Sequence, residues 1–147
     1  MKNGDRIVAA AMPWLGTPHV NQARVRGIGV DCGMLLIGAL EDAGLVSKGA
    51  IQIQPYSNEW HLHHSEEWFL SYVKTYCRQV SQLEKGDFLM FQFGRCISHA
   101  GIYVGDNILI HAVIGQGVIL SDLDDVMFLD SRGASRLRGI YRFKGVK

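Results

Sequence analysis

Cys32, His99 and His111 are the residues whose types and spacing most directly suggest chemistry. A thiol is a usable nucleophile when a base takes its proton and a third group fixes that base's tautomer and orientation. Cys32 follows Gly29-Val30-Asp31 and precedes an apolar run from Met34 to Ala43. Asp31 is a good N-cap residue, because its carboxylate accepts the unpaired amide hydrogens of a first helical turn, so the pattern predicts a helix starting at Cys32. On that turn the unpaired amides favour a thiolate, and thiol pKa values at such sites fall from about 8.5 toward roughly 3.5–7.5. His99 opens one predicted strand and His111 lies near the end of the next, with Gly105-Asp106-Asn107 as the tight turn between them. Residues at comparable distances from such a turn share a face, which lets the two histidines be neighbours. The arrangement suggests Cys32 as nucleophile, His99 as base and His111 as orienting partner.

The same residue types admit other readings. A free cysteine is commonly a small buried hydrophobe, and strand histidines are commonly satisfied polar residues. Cys96-x-x-His99 and His61-x-His63 have ligand-like spacing, with His64 or His111 as a further donor, although neither pair matches a familiar zinc spacing. Asp122, Asp124 and Asp125 form an acidic cluster that reads as a solvated turn or helix start rather than an acid–base pair. Gly27-Ile28-Gly29 does not follow a predicted strand and is no phosphate-binding loop.

The elements that must position these residues follow from hydrophobic period. Ile7, Ala10, Ala11 and Trp14 recur at helical spacing, with Asn3 or Asp5 as the cap and Pro13 as the end. A turn at Gly16-Thr17-Pro18-His19 and a loop through Arg24, Arg26, Gly27 and Gly29 lead into the Cys32 helix, which stops near Gly44. Residues 45–64 are irregular and carry Trp60, His61, His63 and His64. Ser65-Glu66-Glu67 starts a further helix with an aromatic face of Trp68, Phe69, Tyr72 and Tyr76. Beyond Gly86 the period changes to short strands: Asp87–Phe93, His99–Val104, Asn107–Ala112, Val118–Asp122 and Gly139–Phe143. Helices followed by antiparallel strands predict an α+β domain, with helices packed on one face of an antiparallel sheet of about five strands.

At 147 residues the chain suits a single domain, residues 1–147. Hydrophobic residues make up 48% and charged residues 20%, which excludes a disordered chain. The net charge of +1 gives no indication of nucleic-acid binding; the basic stretch from Arg132 to Lys147 reads as a solvated face that could also meet an anionic polymer such as a bacterial wall. Three cysteines cannot all pair within one chain, so free thiols are expected. Ile7 to Met12 is too short and too soon broken by Pro13 for a signal peptide, and no run approaches the roughly 20 apolar residues of a membrane span. The expectation is synthesis in the cytoplasm without membrane insertion.

Trp14-Leu15-Gly16-Thr17-Pro18, then Gly29-Val30-Asp31-Cys32 and its helix, resemble the opening of the NlpC-type cell-wall cysteine peptidases, papain-like enzymes that cut peptidoglycan stem peptides. Lys85-Gly86-Asp87, Ser98-His99-Ala100-Gly101-Ile102-Tyr103-Val104-Gly105 and Ile110-His111-Ala112 are similar to that family's later motifs, in order. The resemblance implies a Cys32, His99, His111 triad working through a thioester, no metal and no cofactor. It implies as substrate the peptidoglycan stem peptide, with D-glutamyl-diaminopimelate cleavage as an example.

His19 stands where the family usually has a tyrosine that helps hold the oxyanion, and Gly33 stands where many members have serine. Trp14, Arg24, Arg26, Trp60 and His63 are pocket-lining candidates by position, and Asp31 shapes the helix start. The stretch Trp60-His61-Leu62-His63 is similar to the bacteriophage tail-associated branch, which implies tail proteins or a delivery domain as partners and the bacterial cell wall as the place of action. A non-catalytic tail or wall-binding module of the same fold, and an amidase or acyltransferase on another amide or ester, are the alternatives.

Overall fold

The structure, a computed structural model, describes residues 1–52, 65–94 and 96–145, with backbone alone at 65–70 and 96. The chain opens with α1 (Asn3–Ala11), whose buried Ile7 and Ala11 lie one turn apart. The expected cap at Asn3 or Asp5 is not how this helix begins. Its N-cap is Lys2, which makes no side-chain cap bond, while Asp5 sits in the first turn, where a carboxylate complements the helix dipole. Proline does end it: a 3-10 turn, Met12–Trp14, carries Pro13, which lacks the N–H that a continuing helix needs.

The segment expected as a loop through Arg24 and Gly29 contains a two-stranded ribbon, β1 (Arg24–Val25) and β2 (Gly29–Val30). Then α2 (Cys32–Asp42) starts where Asp31 Oδ1 accepts the Met34 N–H at 2.9 Å. Residues Cys32 to Leu40 of α2 are buried without interruption, so this helix is the centre of the helical layer. Gly44, just past its end, takes the left-handed φ of +73° that stops helices.

After α3 (Ser65–Tyr76) come β3 (Cys77–Val80), β4 (Phe88–Phe93), β5 (Cys96–Gly105), β6 (Ile108–Val113), β7 (Gly117–Asp122) and β8 (Leu137–Phe143). They form one antiparallel sheet in the order β3-β8-β4-β5-β6-β7. The strand beyond the expected five is β3, whose Cys-Arg-Gln-Val sequence shows little alternation and which becomes a strand by pairing with the distant β8, from Cys77↔Phe143 to Val80↔Ile140. Phe88, Met90, Ala100, Ile102, Ile110 and Ala112 share the main core with α1 and α2. Their alternate neighbours Leu89, Phe91 and Leu109 join Phe128, from a 3-10 turn at Val126–Phe128, in a second cluster on the other face. Because both faces are covered, β4 reads as the continuous apolar run Phe88-Leu89-Met90-Phe91.

Two turns set the register of the central strands. Asp106 and Asn107 take φ of 54° and 65° between β5 and β6, as the tight-turn reading requires. Ahead of β4, Asp87 is 1% exposed and its carboxylate accepts from Arg142 Nε and Nη2, each at 2.8 Å, and from the Glu84 N–H at 2.7 Å. Among the described residues no helix is long and apolar enough to cross a membrane.

Candidate active site

Strand register brings the histidines together, though not face to face. β5 pairs with β6 through Ile102↔Ile110 and Tyr103↔Leu109. Continuing that register by one step sets Gly101 opposite His111, so His99 is the diagonal neighbour of His111. A Cβ on Gly101 would stand 2.7 Å from Leu109 Cδ1 and 3.2 Å from His111 Cβ, so the bare glycine leaves the gap across which the rings meet. His99 Nε2 and His111 Nδ1 are 2.7 Å apart, with ring centroids at 5.0 Å and planes inclined by 70°. His111 Nε2 in turn lies 2.8 Å from Ser121 Oγ. Phe93 packs edge-on against His99, and Phe128 lies beside His111, which is fully buried.

This apolar lining decides the charge state. Burial lowers the His99 pKa to about 3, assisted by His111 and His19. Burial also lowers His111 to about 4, against the raising influence of Asp125. Both rings are therefore neutral near pH 7, each with one ring proton.

The Cys32 thiol rests against the backbone of β5. Its Sγ is 3.9 Å from the Ser98 carbonyl oxygen, at the point where the β4–β5 register slips from Phe91↔His99 to Gln92↔Ile97. Such bulges locally re-aim a strand. The thiol donates to this carbonyl and not to His99; with Nε2 of His99 engaged by His111, Nδ1 is the ring nitrogen left for the sulfur. The expectation of a lowered thiol pKa is corrected here. Burial first, and then the Asp31 carboxylate, push the Cys32 thiol up to about 12, outweighing the backbone donors at Cys32, Gly33 and Ala100. At rest the Cys32 thiol and the His99 imidazole are thus both neutral. Alkylation of Cys32 by iodoacetamide, followed by peptide mass, is expected to accelerate about tenfold per pH unit from about pH 6 to pH 9, because the thiolate fraction grows by that factor below the pKa. A rate flat across that range would show a thiolate–imidazolium pair instead.

Asp31 does more than cap. Its second oxygen accepts the Gln22 N–H at 2.7 Å, at a residue held at φ 66°, so one buried carboxylate ties the preceding loop to the start of α2. That loop carries His19, whose backbone bridges Val30 in parallel, between Val30 N–H to Pro18 O and Val20 N–H to Val30 O. His19 is half-buried, and burial lowers its pKa while Asp31 raises it. Its charge in turn lowers the His99 pKa.

Other candidates fall elsewhere. Trp14, expected near substrate, is 3% exposed: its ring packs over Gly38, where an added Cβ would meet Cζ2 at 2.6 Å, and its indole N–H donates to Asp42 Oδ2 at 2.9 Å. It is a core residue supporting α2. Arg24 pairs with Glu41 at 3.3 Å and Arg26 reaches Asp42 at 3.9 Å, so both guanidinium groups are engaged with α2. Trp60, His61, His63 and His64 lie outside the described residues. Among the described residues no three His, Cys, Asp or Glu side chains gather as metal ligands would. Two polar neighbours escape detection from the residue pattern: Ser121, which needs the β6–β7 register to be placed, and Tyr72, whose hydroxyl donates to the Gly33 carbonyl at 2.9 Å. In the residue pattern Tyr72 belongs to an aromatic helix face.

Comparison with known proteins agrees with this layout. The model of the NlpC/P60 family matches residues 15–134. A Mycobacterium tuberculosis protein named Probable endopeptidase Rv2190c is 32% identical over 111 residues, 74% of this chain and 24% of its own length. Murein DD-endopeptidase MepS/Murein LD-carboxypeptidase of Escherichia coli is 40% identical over 45 residues, 31% of this chain and 24% of that protein. The chain spans about a quarter of the length of these curated relatives. In fold it is similar to the NlpC/p60 domain of the peptidoglycan hydrolase SagA, with a TM-score of 0.60 at 21% identity, covering 97% of this chain and 100% of that one. With the family model matching most of the chain and the papain-like layout of helices on an antiparallel sheet in place, this chain belongs to the NlpC/P60 family.

Proposed function

We propose that the chain is a cysteine endopeptidase that hydrolyses an amide bond in the peptide part of bacterial peptidoglycan, such as a D-glutamyl-diaminopimelate bond. The observation that carries this reading is the convergence on one strand of the Cys32 thiol, resting at Ser98, and the hydrogen-bonded His99–His111 pair. In the first half-reaction the Cys32 proton passes to His99 Nδ1 as Sγ attacks the substrate carbonyl. The oxyanion is held by the Cys32 backbone N–H, one of the unpaired amides of the first turn of α2, and by a ring N–H of His19, which a neutral imidazole still supplies. The His99 imidazolium then protonates the leaving amine, which departs as the thioester forms. In the second half-reaction His99 takes a proton from water, the hydroxide displaces Sγ, and the proton returns to the thiol. His111 orients His99 throughout.

A digest of soluble muropeptides read by mass spectrometry tests this. Cleavage is expected to persist with a chelator and to cease once Cys32 is fully alkylated; the reverse pattern would replace the cysteine mechanism with a metal one. A second reading, a wall-binding module that cuts nothing, is favoured by the resting thiol, which is neutral and turned to a carbonyl oxygen. Retained muropeptide binding with no product at any pH would decide for it. Delivery to the wall by a bacteriophage tail or similar device is part of the same proposal. It is supported by the likeness of the stretch Trp60-His61-Leu62-His63 to tail-associated members, and co-purification with tail particles would test it.

A further inference from the structure

We propose that Ser121 is a positioning residue, whose oxygen lets buried His111 keep its proton on Nε2 and so leaves Nδ1 of His99 free to accept the thiol proton. The inference rests on the triad reading above and adds a fourth member to it.

His99 Nε2 and His111 Nδ1 stand 2.7 Å apart, and a contact that short between two neutral rings needs one proton between them. Only two proton orders satisfy the chain of three groups. In the first, His99 carries its proton on Nε2 and donates to His111 Nδ1, while His111 carries its own on Nε2 and donates to Ser121 Oγ, 2.8 Å away. His99 Nδ1 is then bare and can act as a base. In the second, Ser121 donates to His111 Nε2, His111 donates from Nδ1 to His99 Nε2, and the His99 proton sits on Nδ1, where it blocks the reaction. The first order is also the one that survives catalysis. Once His99 has taken the thiol proton it donates from both nitrogens, so His111 must present a bare Nδ1 and keep its proton on Nε2.

That Nε2–H needs an acceptor. His111 is fully buried, with the Phe128 ring centroid 5.5 Å from its own, so an unpaired donor there would be costly. Ser121 supplies the oxygen because β6 and β7 pair His111↔Ile119 and Leu109↔Ser121, which sets Ser121 diagonally next to His111 on the same face. The β6–β7 pairing therefore continues across one more strand the diagonal relay that joins His99 to His111. A serine at this register has the reach of one Cβ–Oγ arm and no more. An alanine there removes the acceptor of the first order and the donor of the second; because a buried N–H left unpaired costs more than a bare ring nitrogen, the His111 proton is then favoured on Nδ1, the blocking order.

Long-range proton–nitrogen correlation spectra of the histidine rings read this directly, without substrate. In the wild type His111 is expected as the Nε2–H tautomer and His99 as the same, with a bare Nδ1. In Ser121→Ala both are expected to move to Nδ1–H, and Ser121→Thr, which restores the hydroxyl, is expected to return both. On muropeptides Ser121→Ala is expected to lower kcat roughly 10–100-fold with KM little changed, as removal of outer positioning groups does, and Ser121→Thr to recover most of it. A wild-type His111 protonated on Nδ1, or identical tautomers in wild type and Ser121→Ala, would overturn the proposal. Because the spectra need no turnover, they test Ser121 even in a chain that cuts nothing, while loss of the cleavage reading shows only in the digest.

Discussion

His99→Ala is expected to lower kcat for muropeptide cleavage by at least about 10³-fold while the far-ultraviolet circular dichroism stays that of the wild type. General acid–base groups typically contribute about 10²–10⁴-fold, and in the mechanism proposed above His99 acts three times: on the thiol, on the leaving amine and on water. The thiol makes the first of these acute. With a pKa near 12, only about one Cys32 in 10⁵ is ionised at pH 7 without help, so a base that takes the proton during attack is required. The residual rate of His99→Ala is therefore expected to climb about tenfold per pH unit toward pH 10, as thiolate accumulates unaided. The fold should tolerate the change, because the apolar cover of the site comes from Phe91, Phe93 and Phe128, which remain. A His99→Ala chain with near-wild-type turnover would remove His99 from the mechanism.

The largest effect on stability is expected from Arg142→Met. Asp87 is 1% exposed, and Arg142 supplies two of its hydrogen bonds; without them the buried carboxylate keeps, among the described residues, only the Glu84 N–H. Removing one partner of a buried ion pair costs about 3–5 kcal/mol, and since the Arg142 side chain is itself 23% exposed, water can enter beside it and the lower end, about 3 kcal/mol, is expected. Urea unfolding of Arg142→Met, compared with the double variant Arg142→Met and Asp87→Asn, checks this: the double variant should recover much of the loss, because its buried group no longer carries charge. Glu84→Ala serves as control. Its carboxylate reaches Arg142 at 3.1 Å but is 62% exposed, and an exposed pair contributes no more than about 1 kcal/mol. A loss below 1 kcal/mol in Arg142→Met would contradict this account of the buried Asp87–Arg142 pair.

Much of this architecture could be read from local pattern. The Asp31 cap, the Gly44 stop and the Asp106-Asn107 turn are set by backbone chemistry within a few residues, so the pattern found them. For the same reason the period of the C-terminal half marks its strands to within a few residues. What local pattern misses depends on distant partners. β3 is a strand only because β8 lies beside it, and Ser121 joins the histidines only through a register that no spacing reveals. The fate of Trp14 turned on Gly38, whose missing side chain opens the slot for the indole. The thiol pKa lies opposite to the helix-start expectation because burial and the neighbouring Asp31 carboxylate outweigh the helix-start amides. The diagonal placement of His99 and His111 shows the same limit: counting from the turn gives the correct face, whereas the Tyr103/Gly105 register slip decides which residue stands opposite.

The most direct test of Cys32 as nucleophile is a mass-spectrometric digest of soluble muropeptides by the wild type and by Cys32→Ala at equal concentration. Removal of a triad nucleophile typically leaves almost none of the catalysis, so the wild type is expected to yield peptide fragments shortened at one amide bond and Cys32→Ala to leave the muropeptides intact. The same fragments at the same rate from both proteins would contradict the account.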